Sequence, residues 1–511
     1  MWVEADCNLT SGESLVRQFL YGCRFFQKEF DKKCEILWLP DVFGYSAALP
    51  QIMQQCGIRY FMTTKISWNE FNKMPYDTFL WEGIDGTKVL THFVPCRDYN
   101  APAVEGGTET EHFTTYNGVI NPSQVLGGWQ RYSQKDLNPD ILMSYGYGDG
   151  GGGPTAEMLE NQRRLAKGLP GVPKTRQCVP TEFFHELEKQ VKDSRYLPEW
   201  NGELYLEYHR GTYTTMAKNK KYNRKSEFAY ENLEFYSVLA GMVAGSAYPE
   251  KDLRDGWETI LRNQFHDIIP GSSIKEVYDE SWKEYEKILG RAKELTEQMK
   301  KEITASIIGD KGDVVVFNPN STSCASVVHL GTQELNITVL EADGKRFPVQ
   351  QTEEGSIVMV DQVPGHGYRV LKPVTEAIEE CVPFTVTEQQ VETSFFHIEI
   401  NEKGQFTSIF DKNANRELLQ EGKAGNVLMT YEDRPHNYDA WDINNYYTEK
   451  AWEVEQTSEI CVTENGPVRG CIRVTHPYGA SKIVQYLYFY PDQYRFDIKN
   501  EIDWHEDHIL L

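Results

Sequence analysis

Along the first 180 residues, short apolar runs alternate with stretches whose apolar positions recur at helical spacing. Residues 34–40 form an apolar run that ends at Pro40, the signal of a buried strand followed by a turn. Residues 47–56 then carry apolar side chains at helical spacing, and 60–63, 89–93 and 141–145 read as further strands. Strand, helix, strand in succession predicts a parallel α/β sheet or barrel. In such sheets functional side chains gather at the carboxyl ends of the strands.

The texture changes twice. Residues 181–306 are almost wholly helical in pattern, with periodic segments at 226–241, 252–266 and 273–305, the last rich in Glu and Lys on its outer face. They predict a helical bundle of about three members. After Gly309, short alternating runs punctuated by Gly, Asn and Asp take over, at 313–319, 393–400, 462–475 and 483–490. These predict an all-β sandwich domain. The expected organisation is therefore a parallel, barrel-like α/β domain at 1–180, a helical bundle at 181–306 and a β-sandwich at 310–511.

A chain of 511 residues is long enough for two or three such domains, each with its own core. Hydrophobic residues at 40% and charged residues at 25% fit a folded protein rather than a disordered one. Aromatics at 13% suit sugar-stacking clefts, but a large β-rich core uses them equally well, and composition alone favours the core. The formal charge of -24 repels phosphate backbones and argues against nucleic acid as a partner. No apolar run approaches the ~20 residues that span a bilayer, so no membrane partner is expected. Ten cysteines, Cys381 among them, are scattered without a C-x-x-C pair. They read as reduced thiols, which points to the cytoplasm. A homo-oligomer is left open.

Three segments carry chemistry-bearing residues. In Trp38-Leu39-Pro40-Asp41-Val42-Phe43-Gly44-Tyr45-Ser46 an acid follows directly on an apolar strand. That position suits a carboxylate that attacks carbon or binds a metal, and equally a helix N-cap. In Tyr145-Gly146-Tyr147-Gly148-Asp149-Gly150-Gly151-Gly152-Gly153-Pro154-Thr155 the glycines are costly in backbone entropy. They suit close approach to the backbone or a loose surface loop; no Gly-Lys-Ser/Thr follows, so this is not a phosphate-binding P-loop. In Asn263-Gln264-Phe265-His266-Asp267-Ile268-Ile269-Pro270-Gly271 a His-Asp pair ends an amphipathic helix. A neutral imidazole there can reach a metal, or a protonated one can answer the helix dipole.

Taken together these segments resemble glycoside hydrolase family 38, the retaining α-mannosidases, and within it the cytosolic and bacterial branch. The resemblance extends over most of the chain. It includes Trp2-Val3-Glu4-Ala5-Asp6, residues 11–22, Trp81-Glu82-Gly83-Ile84-Asp85-Gly86 and Leu90-Thr91-His92-Phe93. It also includes Glu207-Tyr208-His209-Arg210-Gly211-Thr212-Tyr213-Thr214, Glu432-Asp433-Arg434-Pro435 and Asp439-Ala440-Trp441-Asp442. The resemblance implies hydrolysis of terminal α-mannosyl residues of free oligosaccharides or glycans through a covalent mannosyl-enzyme. Asp41 matches the nucleophile and a zinc ligand, and His266 a second zinc ligand. Asp149 is the choice for general acid/base, although related branches carry two adjacent acids where this chain has Asp149-Gly150. Trp68, Tyr213, Trp441 and Asp442 are candidate substrate contacts, with core packing or loop anchoring as the equal alternative. His92 and His209 lie in shared segments and are assigned no role.

One departure matters. The family's other metal ligands form a His-x-Asp within an early strand, and no such segment occurs here. The chain therefore reads as the C-terminal part of the α/β domain followed by an incomplete β domain, a fragment expected to be inactive and poorly soluble through an open sheet edge. The rival readings are a zinc-dependent polysaccharide deacetylase, disfavoured by the bundle and the β domain, and a carbohydrate-binding protein that has lost catalysis.

Overall fold

The computed structural model describes residues 1–100, 114–307, 309–331, 337–375, 384–436 and 438–511. The chain divides into two compact units. The first comprises Met1–Ser237, Ala247–Gln298 and Pro435–Asn444; the second comprises Val238–Ser246, Met299–Arg434 and Asn445–Leu511. Cys381 lies outside the described residues, and the nine described cysteines are all free thiols.

In the first unit, helix α1 (Gly12–Phe30) is capped by Ser11, whose side chain accepts from Ser14 N, and carries Glu13 in its first turn. Both features satisfy the orphan donors and positive end of a helix N-terminus. Strand β1 (Ile36–Trp38), helix α2 (Leu49–Gln55), and strands β2 (Tyr60–Thr63), β3 (Thr78–Glu82) and β4 (Lys88–Phe93) follow; all lie close to the expected positions except β3, a strand that the sequence pattern does not mark. Helices α3 (Pro122–Arg131), α4 (Ala156–Lys167) and α5 (Pro180–Val191) precede β5 (Glu199–Asn201). The sheet order is β1-β2-β4-β3-β5. Every residue of β2 is buried. Phe61 joins a core with Phe19, Leu37, Phe79 and Trp81, while Tyr60 and Met62 join one with Phe183, Phe184 and Leu187 of α5. Burial on both faces explains why these strands read as continuous apolar runs rather than alternating ones.

Two expectations are corrected. The sheet is mixed, not all-parallel: β1, β2 and β4 run parallel, but β3 is antiparallel to β4. The connection after β3 is a tight turn in which Asp85 accepts from Thr87 N and Oγ1 and Gly86 takes φ +83°. It is far too short for the crossover that parallel neighbours need. Residues 141–145 form no strand; only Tyr145 bridges, to Gly118, and Leu142 N is directed instead to the His92 ring.

The helical stretch forms α6 (Ala217–Ala244), α7 (Glu250–Asn263) and α8 (Lys275–Ala305). Tyr230 and Leu233 of α6, Trp257 and Ile260 of α7, and Tyr285 and Ile288 of α8 share one core, as the helical periodicity predicts. In the second unit the strands make sheets of six, five, three and four members. Ile398, Phe406 and Ile409 of the five-stranded sheet pack on Ile472, Val474 and Leu487 of the four-stranded one, which is the face-to-face packing of a sandwich. The run at 462–475 is two strands, Glu459–Asn465 and Gly470–Tyr478, because Gly466 N turns back to Arg469 O. The α/β, helical and all-β succession is as the sequence predicts.

Candidate active site

Asp41 sits three residues past β1, where Leu39 N bonds Met62 O and Thr64 Oγ1 bonds Pro40 O. The neighbouring strand end thus pins the backbone on either side of the acid. Asp41 does not cap a helix, since α2 starts at Leu49 with Ala48 as its N-cap. Its two oxygens have different surroundings. Oδ1 is buried and accepts no aligned hydrogen bond, but the Lys65 ammonium lies 2.6 Å from it. Oδ2 accepts from the Tyr116 hydroxyl at 2.6 Å and faces His266 Nε2 at 3.9 Å.

Tyr116 connects the two acids singled out in the sequence, because its hydroxyl also lies 3.0 Å from Asp149 Oδ1. The facing oxygens of Asp41 and Asp149 are therefore separated by no more than those two distances taken end to end. Burial first, then the Asp41 and Asp149 carboxylates, push the phenol's pKa well above its ordinary value, so it stays a donor. Asp149 Oδ2 accepts from Asn117 Nδ2 at 2.7 Å, and Asn117 Oδ1 accepts from Gly148 N at 2.7 Å. The glycine-rich segment is a built turn: Tyr147 and Gly153 exchange backbone hydrogen bonds, and Gly150, next to the acid, has φ +90°. At Gly148 a Cβ would overlap Asn117 Oδ1, which is the close approach expected of this loop. Asp149 itself is exposed, while Asp41 is half-buried.

His266 lies three residues beyond α7 rather than within its last turn. Its backbone N and its Nδ1 both meet Glu4 O, at 3.1 Å and 2.9 Å. A carbonyl can only accept, so Nδ1 carries the proton and Nε2 turns its lone pair toward Asp41. This imidazole is 6% exposed. A ring held through Nδ1 by a carbonyl, with Nε2 facing a carboxylate, is the donor arrangement of a metal-binding histidine. Asp41 and His266 therefore fit zinc as a pair of ligands. Among the described residues no group of three or more His, Cys, Asp or Glu is placed to hold a metal, so the set stays below the three or four protein ligands that zinc takes.

The remaining candidates divide. Trp68 donates Nε1 to Thr114 O and presents its face to Lys65, 4.1 Å from the ring centre. Trp441 stacks on His209 at 4.7 Å and 16°, lies 5.5 Å from the Lys65 ammonium, and accepts from Gly211 N at 2.7 Å through its carbonyl. Both border Asp41 through Lys65. Asp442 is buried next to Trp441. The Tyr213 hydroxyl accepts from Asn8 Nδ2 at 3.0 Å. His92 is a core residue, bonded to Thr78 Oγ1 at 2.9 Å.

Lys65, Tyr116, Asn117 and Glu4 escaped the sequence reading. Lys65 had a signal, an ionisable residue two positions past an apolar strand, in the place that drew attention to Asp41. Tyr116 and Asn117 had none, since they fall in an irregular stretch. Glu4 is held toward its protonated form by burial first, with Asp41 and Asp149 adding to the shift and His266 opposing it. His209 is 1% exposed, and burial, then Lys65 and His266, keep it neutral.

Comparison with known proteins gives three family matches: the glycosyl hydrolases family 38 N-terminal domain over residues 1–203, the alpha mannosidase middle domain over 207–303 and the glycosyl hydrolases family 38 C-terminal domain over 391–511. Among curated relatives, alpha-mannosidase G of Dictyostelium discoideum is 34% identical over 100% of this chain and 48% of its own length. Human alpha-mannosidase 2C1 is 36% identical over 92% of this chain and 42% of its own. Alpha-mannosidase of Saccharomyces cerevisiae is 34% identical over 91% and 39%. The chain thus spans somewhat under half the length of these relatives. A solved alpha-mannosidase structure from Enterococcus faecalis V583 superposes with a TM-score of 0.75 at 16% identity, covering 99% of this chain and 65% of that one; at that identity it shows a shared fold. With domain matches of one family succeeding one another along most of its length, the chain belongs to glycosyl hydrolases family 38.

Proposed function

We propose that this chain carries the nucleophile and the general acid/base of a zinc-assisted, retaining exo-α-mannosidase that removes terminal α-mannosyl residues from free oligosaccharides or glycans. The observation that carries the proposal is the Asp41–Tyr116–Asp149 link. Its two distances cap the separation of the facing oxygens close to the about 5–5.5 Å of a retaining pair. That favours a retaining pair over the about 6.5–9.5 Å of an inverting one.

Asp41, with Oδ2 on the open side, attacks the anomeric carbon and forms the mannosyl ester. Asp149, exposed beside it, gives its proton to the departing glycosidic oxygen. It then takes a proton from the water that cleaves the ester, the acid of one step serving as the base of the next. Tyr116 holds Oδ2 in line for attack and releases its hydrogen bond as the ester forms. Zinc, when bound by Asp41 and His266, would supply Lewis-acid attraction for sugar hydroxyls. With two donors among the described residues instead of three or four, we expect this chain to bind zinc weakly and to turn over slowly. Zinc held there would suit mannose, whose axial 2-hydroxyl and equatorial 3-hydroxyl are neighbours on one side of the ring. Ten scattered cysteines without a C-x-x-C pair support a cytoplasmic setting.

The test is mechanism-based labelling. The chain, with excess zinc, is incubated with a fluorinated mannosyl fluoride whose ester hydrolyses slowly, and the labelled peptide is mapped. A mannosyl ester on Asp41, lost in Asp41→Ala, supports the proposal. Absence of any label together with acetate release from an acetylated glycan would replace it with deacetylation.

A further inference from the structure

The Lys65 side chain is 4% exposed, and its ammonium is surrounded by aromatic rings. Trp68 lies 4.1 Å away, Trp441 5.5 Å and Phe43 5.6 Å. A buried ammonium is costly unless it is paired. Among the described residues the acid within ion-pair distance is Asp41, through Oδ1 at 2.6 Å. The rings attract the cation through their faces but accept no strong hydrogen bond from it, so the charge is directed at one oxygen. Lys65 begins the turn that follows β2, so a strand rather than a loop tip sets its position.

The geometry points to Lys65 as the positioning residue of the nucleophile: it grips the buried Oδ1 and thereby fixes the rotation of the carboxylate that presents Oδ2 to the substrate. The inference rests on Asp41 being the nucleophile. It goes further by dividing the labour between the two oxygens, Oδ1 as the anchor and Oδ2 as the working atom. A point charge held by three rings can restrain Oδ1 without occupying Oδ2, whose place is shared by Tyr116 and the side facing His266. Lys65 is buried and directed at Oδ1, so its loss should affect the chemical step more than binding.

The experiment compares wild type, Lys65→Met and Lys65→Arg. Met has similar length and suits an aromatic cage, so the fold should survive, checked by circular dichroism and thermal melting. With an aryl α-mannoside and excess zinc, we expect Lys65→Met to lose about 100-fold in kcat, the cost of a misplacement of about 1 Å, with little change in KM. Lys65→Arg should recover part of the loss. An unchanged kcat in a folded Lys65→Met overturns the inference, and so does a loss confined to KM. If the wild type neither turns over nor takes the mannosyl label, the nucleophile reading fails and not the positioning. Crystal structures then decide: an Asp41 carboxylate that keeps its orientation and its 2.6 Å bond to Tyr116 in Lys65→Met overturns the role.

Discussion

Asp41 and Asp149 are joined through a single hydroxyl, that of Tyr116, 2.6 Å from one carboxylate and 3.0 Å from the other. One O–H proton can be given to only one acid at a time, and the shorter contact marks Asp41 as its main acceptor. In the proposed mechanism Asp41 would give up its charge in forming an ester, so that acceptor would weaken and the proton could turn toward Asp149, which would become a carboxylate on protonating the leaving group. The link is thus suited to follow negative charge from one acid to the other.

Tyr116→Phe should leave the fold intact and lower kcat by about 10- to 100-fold, the range for one hydrogen bond to a charged group. The effect should be larger for the mannosylation step, read with slow-leaving aryl mannosides, than for binding. Wild-type rates with every leaving group would mean that the hydroxyl only fills space.

Gly148→Ala tests whether the glycine-rich turn is built around Asp149. Its added Cβ would overlap Asn117 Oδ1, so Asn117 must move and its bond to Asp149 should break. We expect activity toward poor leaving groups, which need the acid, to fall more than activity toward a dinitrophenyl mannoside. Gly151→Ala, at φ +77° with open space around it, should strain the backbone instead. Equal losses across leaving groups in Gly148→Ala would separate the turn from the acid.

His266→Ala should lower zinc affinity by more than the about 10- to 100-fold typical of a residue that merely supports a ligand. Competition with a chromophoric chelator measures this without any need for turnover. Asp267→Asn, whose carboxylate is 3.8 Å from the ring and accepts from Ser272 Oγ, should have the smaller effect. Unchanged affinity in His266→Ala would remove the imidazole from the metal site.

His92 sets a pH dependence of stability. Leu142 N approaches Nε2 at 3.4 Å, so the ring is neutral, with its proton on Nδ1 toward Thr78. Burial lowers its pKa to about 4, with Asp77 opposing the shift and Arg131 adding to it. Because the folded pKa lies below the ordinary value of about 6.5, the unfolded chain binds the extra proton between these limits. Stability present above about pH 6.5 is then lost progressively down to about pH 4, by on the order of 3 kcal/mol. Urea midpoints measured across this window should fall less steeply for His92→Gln than for wild type. Parallel curves would contradict the assignment.

What was legible in the sequence was what short-range pattern controls. The apolar runs before Pro40 and at 60–63 marked strands because both faces of this sheet are buried. The spacing in 252–266 marked a helix because one stripe of it meets the bundle core. Asp41, Asp149 and His266 stood out because each follows a regular element or sits among glycines whose cost calls for a reason. β3 itself escaped the pattern, and its antiparallel direction follows from the short Asp85–Gly86 turn that leads into β4. Only the tertiary structure could bring Tyr116 between two acids, set Lys65 under Asp41, and turn His266 by way of the Glu4 carbonyl. These contacts join segments far apart along the chain, and no periodicity records them, because a side chain's partner across the fold is decided by how sheets and helices pack and not by its own neighbours.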